Sequence, residues 1–288
     1  MTRVLVLGGS GMLGHAVFRV LAAAPEVEAF ATLRSDAPRR FFDAALQDRL
    51  VSGIDALDTD ALAACLARVR PELVVNCVGL VKQLGTAADP LAALPVNALL
   101  PHRLARLCAL LGARLIHVST DCVFRGDRGG YTEQDRPDAD DLYGRSKLLG
   151  EVDAAHAVTL RTSIIGRELG TRHGLVEWFL GSAGPVRGFT RAVFSGLTTD
   201  ELARVILRYV LPDRTLTGVW HVAAAPVNKH DVLLLLRDAY GRSTEILPDA
   251  GPVIDRSLDA SRFRAATGYV APSWPEMIRA MRAEGDAA

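Results

Sequence analysis

A doubly wound parallel α/β sheet, followed by a smaller and mostly helical lobe, is predicted by three features of the 288-residue chain. Up to about residue 165, short apolar runs alternate with amphipathic helical stretches, which implies right-handed crossovers between parallel strands. The chain opens on an apolar run and a glycine-rich turn, Val-Leu-Val-Leu-Gly-Gly-Ser-Gly-Met-Leu-Gly. Beyond residue 165 glycine and proline become frequent, and helical patterns follow one another with little strand between them.

Residues 3–7 form a continuous apolar run, as a strand buried on both faces requires. Residues 12–24 read as a helix that ends near Pro25, residues 26–33 as a second strand and 49–52 as a third. A helix over residues 59–69 has Asp58 or Thr59 as its N-cap. Pro71 precedes a fourth strand at 72–77. A long helix covers 92–111, a fifth strand 113–119, a helix 141–155 and a sixth strand 158–162. In the second half, helices are expected at 175–180, 199–210 and 229–240. A strand at 218–222 returns to the sheet, and a last surface helix lies around 273–282.

The charge balance excludes several partners. With 33 basic and 33 acidic residues the chain has no electrostatic footprint for nucleic acid or an anionic membrane. Hydrophobic content of 49% and charged content of 23% are those of an ordered globular protein. Cys65, Cys77, Cys108 and Cys122 show no C-x-x-C spacing, and Cys77 and Cys108 read as buried thiols. A reducing cytoplasm, no disulfide and no metal site are expected. No apolar run reaches the roughly 20 residues of a membrane span. No signal peptide is expected before the first strand.

Gly8, Gly11 and Gly14 stand as G-x-x-G-x-x-G between the first strand and the first helix. A tight turn, close approach of a pyrophosphate to main-chain N–H groups and close helix–strand packing each need glycine there. This is the Rossmann arrangement, with Gly8, Ser10, Gly11, Met12 and Leu13 lining a dinucleotide. It places the dinucleotide-binding domain at residues 1–165, with chain from about 195 to 225 returning to it, and a substrate lobe mainly at 166–288. At the end of the second strand, Arg34 and Ser35 stand where a carboxylate would favour NAD. A guanidinium suits a 2′-phosphate, so NADP(H) is preferred, with NAD(H) the second choice. Asp55 is placed to reach adenine or to cap its loop. Cys77, Val78, Gly79 and Asn97 are assigned to the cofactor side, with Asn76 as a structural hydrogen-bonding residue.

Ser119-Thr120-Asp121 ends the fifth strand, outside whose carboxyl end ligands of such sheets bind. Thr120 is the candidate working hydroxyl, and Ser119 fits a turn. Tyr143 and Lys147, four residues apart, share one helix face. A cation near a phenol lowers its pKa and makes it a usable acid. Thr162 and Ser163 follow the sixth strand. Lys82, Arg187 and Arg191 are candidates to clamp a diphosphate. His173, Trp178 and Phe179 line a sugar pocket or, for the two aromatic residues, belong to the core.

Gly-Gly-Ser-Gly-Met-Leu-Gly, Ser-Thr-Asp-Cys-Val-Phe-Arg-Gly, Tyr-Gly-Arg-Ser-Lys-Leu-Leu-Gly-Glu and Leu-Arg-Thr-Ser-Ile-Ile-Gly occur in that order. In this the chain resembles an extended short-chain dehydrogenase/reductase, and more closely the dTDP-4-dehydrorhamnose reductase family. The resemblance spans nearly the whole chain and weakens after about residue 166. It implies Thr120, Tyr143 and Lys147 as catalytic residues, Thr162 and Ser163 beside the nicotinamide, and Arg256 in a late substrate-side motif. Asp121 and Cys122 fall at the substrate mouth. Cys122 stands where the family usually has tyrosine, and Asn-Cys-Val-Gly-Leu-Val-Lys-Gln replaces an alanine-rich turn, so the sugar need not be the rhamnose precursor.

The resemblance implies NADPH-dependent reduction of a nucleoside-diphosphate-linked 4-keto-6-deoxy sugar, by an enzyme that can be a homodimer. Two alternatives stay open: an epimerase or dehydratase that retains its NAD(P), and a non-catalytic NADP-binding regulatory subunit.

Overall fold

The computed structural model describes residues 1–81 and 88–285. The first half runs β1 (Thr2–Leu7), α1 (Met12–Ala22), β2 (Val27–Thr32), β3 (Leu50–Val51), α2 (Thr59–Val69), β4 (Leu73–Asn76), α3 (Pro90–Ala93), α4 (Leu100–Leu111), β5 (Arg114–Thr120), α5 (Leu142–Leu149) and β6 (Ala157–Thr162). The second half runs β7 (Ile164–Ile165), α6 (Leu175–Leu180), β8 (Val186–Phe189), β9 (Ala192–Phe194), β10 (Leu197–Thr198), α7 (Thr199–Val205), β11 (Gly218–His221), β12 (Val227–Asn228), α8 (Lys229–Ala239), β13 (Ile246–Asp249), β14 (Ile254–Asp255), α9 (Ser261–Thr267) and α10 (Trp274–Gly285).

Among the described residues, seven parallel strands form the central sheet in the order β11-β6-β5-β4-β1-β2-β3. The order reverses between β1 and β4, and a crevice opens beyond the carboxyl ends of the strands at such a point. Both faces of the sheet are covered. Val4 and Val6 enter the layer under α1 and α7, while Leu5 and Leu7 enter the layer under α2 and α4. That two-sided burial is why the strands read as unbroken apolar runs.

Asp58 caps α2, its carboxylate accepting from the Asp60 and Ala61 amides. The long helix predicted over 92–111 is α3 and α4 joined by a π-helical turn at Leu94–Leu99. The helix predicted over 141–155 ends at Leu149, with Asp141 as its N-cap and Gly150 as its C-cap.

In the lobe, β11 joins the central sheet beside β6, as expected. Alongside the helices, short strands that the sequence did not reveal form small sheets, β12-β9-β14, β13-β8 and β10-β7. Helix α9 was also not foreseen. Helix α10 is no surface appendage: Trp274, Met277, Ile278 and Met281 are buried in the first core layer. Among the described residues no helix is long and apolar enough to cross a membrane.

Candidate active site

The glycine turn is tied to its neighbours on both sides of the switch point. Gly8 has φ +81°, a conformation that side chains with a β-carbon rarely adopt. A β-carbon on Gly14 would lie 2.0 Å from the Gly8 carbonyl oxygen, so α1 sits directly on the turn. The end of β2 fixes the turn from the side: Gly8 N donates to Thr32 Oγ1 at 3.2 Å and Gly9 N to the Thr32 carbonyl at 2.9 Å. Thr32 was not singled out from sequence.

Gly11 is the N-cap of α1, and neither a side-chain cap nor an acidic residue occupies the first turn. The positive helix end is therefore available to a pyrophosphate, so the residues fit a dinucleotide. Ser10 and Met12 are half-buried, whereas Leu13 is packed into the core and has only its main chain to offer.

Arg34 and Ser35 are exposed just beyond β2. Asp36, the first acid after the strand, lies 3.7 Å from Arg39. Asp55 caps its own turn, accepting from Leu57 N at 2.9 Å. Asn76 is structural, as expected: Nδ2 meets His117 Nδ1 at 3.1 Å and Oδ1 accepts from Val78 N. Burial pushes the Cys77 thiol up to about 12, so it is inert at neutral pH. Asn97, in the π-helical turn, clamps Leu80 through both its N–H and its carbonyl and donates to Ser146 Oγ at 3.1 Å. It holds the loop after β4 against α5 rather than offering its amide to a ligand.

The three residues expected to carry the chemistry converge. The Thr120 and Tyr143 side chains lie close enough to influence one another, one at the end of β5 and one in the first turn of α5. Lys147 is buried, and its Nζ donates to the Val118 carbonyl at 2.7 Å. A β-carbon on Gly79 would lie 4.0 Å from that Nζ, which brings the loop after β4 to the same spot.

One electrostatic expectation is corrected. Burial raises the Tyr143 phenol above its usual value, the Cys122 and Asp121 side chains add to the rise, and Thr120 opposes it. Lys147 is not one of the leading influences on it. Burial lowers the Lys147 ammonium to about 8, against the opposing pull of Glu151 and Cys77. The phenol thus stays protonated at neutral pH, the form a proton donor needs.

Asp121 is buried, and that burial raises its carboxyl. Thr120 Oγ1 donates to Asp121 Oδ1 at 3.1 Å, and the charges of Arg256 and Lys229 oppose the rise. Cys122 shares the environment, its thiol pushed up to about 12 by burial and by Asp121. Arg256 is held by Nε donating to the Phe124 carbonyl at 2.8 Å. It follows β14, which lies on one side of β9, and Lys229 follows β12 on the other side. Sequence spacing gave no sign of Lys229, because its link to Asp121 exists only through this small sheet.

Other candidates stand apart. Arg187 is 79% exposed, with Asp249 at 3.6 Å as its ionic neighbour, and no contact draws it to Thr120. Phe179 is core and Trp178 is exposed. Lys82 lies outside the described residues. Thr162 is buried at the end of β6, and its hydroxyl donates to the Ser163 carbonyl at 3.2 Å. The glycine-rich loop after β7 lies against the start of α1 and against Phe41: a β-carbon on Gly174 would come within 3.6 Å of Met12 Sδ, and one on Gly170 within 3.0 Å of Phe41.

A family model described as the RmlD substrate binding domain matches residues 1–284. A probable low-salt glycan biosynthesis reductase of Haloferax volcanii is 31% identical over 230 residues, which cover 76% of this chain and 73% of that protein. The methionine adenosyltransferase 2 subunit beta of Xenopus tropicalis is 25% identical over 280 residues, covering 90% and 77%. Among solved structures, that of a dTDP-4-dehydrorhamnose reductase from Bacillus anthracis in complex with NADP superimposes with a TM-score of 0.79 at 21% identity, covering 99% of each chain. The family model takes in the glycine turn, the Thr120–Tyr143–Lys147 site and the Arg256 segment alike, and the chain belongs to the RmlD family of extended short-chain dehydrogenases/reductases.

Proposed function

We propose that the protein reduces the 4-keto group of a 4-keto-6-deoxy sugar linked to a nucleoside diphosphate, with NADPH as reductant. The observation that carries this reading is the Thr120–Tyr143 hydroxyl pair beside the buried Lys147, at the carboxyl ends of the strands next to the glycine turn. A bound nicotinamide supplies the hydride. Thr120 and Tyr143 hydrogen-bond the carbonyl oxygen as negative charge develops on it, and Tyr143 gives up its proton. Lys147 orients the cofactor ribose and places a positive charge beside the reacting groups. Arg34, with Asp36 turned to Arg39, supports the preference for a 2′-phosphate.

Residues 166–288, apart from the chain around β11, form the substrate side in this reading. Arg256 and Lys229 give it two cations near Asp121, suited to a diphosphate. NADPH consumption against a panel of nucleotide-linked 4-keto sugars tests the proposal. Turnover with one or more of them is expected, with none on the free sugar. Exchange of stereochemistry without net NADPH consumption would instead identify an epimerase that retains its cofactor.

The likeness to methionine adenosyltransferase 2 subunit beta favours one second reading, a cofactor-binding regulatory subunit. It predicts tight NADPH binding with no turnover on any sugar of the panel.

A further inference from the structure

Glu151 lies just beyond the end of α5, and its side chain is only 8% exposed. Its Oε1 accepts from Ser119 Oγ at 2.8 Å and from Arg161 Nε at 2.7 Å, and its Oε2 accepts from Arg161 Nη2 at 2.7 Å. Arg161, on β6, is itself fixed: Nη1 is 3.3 Å from His221 Nε2, and the guanidinium lies over the Phe124 ring at 5.3 Å. A buried ion pair of this kind is weak evidence for stability, because apolar residues often pack as well in its place. Its position points to another role.

Ser119 stands on β5 between two residues of the site. On one side the Val118 carbonyl receives Lys147 Nζ, and on the other Thr120 meets Tyr143. Tyr143 and Lys147 belong to the helix after which Glu151 comes. One carboxylate thus joins the end of the strand that carries Thr120 to the end of the helix that carries its two partners. We infer that Glu151 is a positioning residue of the active site, which through Ser119 and Arg161 sets the spacing of Thr120 from Tyr143 and holds its own carboxylate four residues beyond Lys147. The inference rests on the reductase reading for its kinetic consequences, though not for the state of Lys147.

The groups facing Lys147 define what Glu151 must do. Cys77 approaches from beyond β4, His117 from β5, and Glu151 from the end of its own helix. His117 is fully buried, its ring held neutral by burial and by the Lys147 charge, and its Nε2 has no hydrogen-bond partner. It gives the ammonium no compensating charge. The Cys77 thiol is protonated at neutral pH. Glu151 is then the neighbour whose pull on Lys147 opposes the effect of its burial.

The chain has three lysines, Lys82, Lys147 and Lys229, so their side-chain carbons labelled with 13C give three assignable resonances. Titration of the full-length protein by NMR, without substrate, should show Lys147 losing its proton at a pH about one unit lower in Glu151→Gln than in wild type. Ser119→Ala, which removes only the hydroxyl link, should leave that titration in place. It should lower kcat roughly tenfold with KM and NADPH affinity nearly unchanged, and Ser119→Thr should restore it. A Lys147 titration unmoved in Glu151→Gln, or wild-type kcat in Ser119→Ala, overturns the inference and leaves Glu151 a brace of the fold. Should Glu151→Gln fail to fold, the Ser119 kinetics decide alone. Absence of turnover in the wild type sinks the reductase reading, while the NMR titration still decides whether Glu151 governs Lys147.

Discussion

A β-carbon on Gly144 would lie 2.1 Å from the carbonyl oxygen of Cys122, so the first turn of α5 rests on the turn after β5 with no side chain between them. The two segments in contact carry Tyr143 and Thr120. Gly144→Ala must therefore push them apart. Overpacking of this sort typically costs about 1–3 kcal/mol, and urea unfolding should show a loss in that range together with a fall in kcat. Wild-type stability and rate in Gly144→Ala would mean that the contact yields without consequence.

Tyr143→Phe should lower kcat by roughly 100-fold or more while NADPH still binds, because the phenol acts on the transition state. Lys147→Ala should weaken cofactor binding as well as rate. The pH dependence follows from the same pair. The ammonium is present below its value of about 8 and lost above it. Rate and NADPH affinity should thus hold from neutrality to about pH 8 and decline beyond. The phenol stays protonated through that range. A rate that climbs steadily past pH 9 would contradict this assignment.

Arg34→Asp should weaken NADPH far more than NADH, since it replaces attraction to the 2′-phosphate with repulsion. Fluorescence titration with both cofactors measures the change. Equal wild-type affinities, unaltered in the variant, would make Arg34 a surface residue and nothing more.

Arg256→Ala and Lys229→Gln should each weaken binding of a nucleoside diphosphate while leaving NADPH affinity intact. Arg256, more buried and with the stronger pull on Asp121, should also lower kcat, because remote binding energy orients the carbonyl. Calorimetry with the nucleoside diphosphate, compared against the nucleoside alone, isolates the diphosphate contribution. If neither variant alters that difference, the two cations serve only to offset Asp121.

Most of the central sheet could be read from the chain because parallel strands buried on both faces are continuous apolar runs, as in β1 and β4. Of the two candidate caps of α2, Asp58 and Thr59, Asp58 takes the role. The strands of the lobe escaped notice because they are two to four residues long and partly exposed, as in β13, where Leu247 is 44% exposed and only Ile246 is buried. The end of α5 was misplaced because Leu148-Leu149-Gly150-Glu151 suits a helix locally. The helix ends at Gly150, which packs against the Asn97 carbonyl so closely that a β-carbon there would fall 1.9 Å from the oxygen. Thr120, Tyr143 and Lys147 were legible through their order and spacing. Lys229 was not, because it reaches the site through a packing contact; Glu151 closes the Tyr-Gly-Arg-Ser-Lys-Leu-Leu-Gly-Glu motif, but its links to Ser119 and Arg161 appear only in the fold.

The position of β11 limits how this chain can be divided. A fragment ending at residue 165 would keep the glycine turn, Thr120, Tyr143 and Lys147, yet it would strip β6 of its outer neighbour and leave its hydrogen-bonding groups unpaired. It would also lose α7 and α10 from over the first core layer. A bare edge strand beside an uncovered apolar face is a template for self-association. The first half of the chain is thus expected to aggregate when expressed alone.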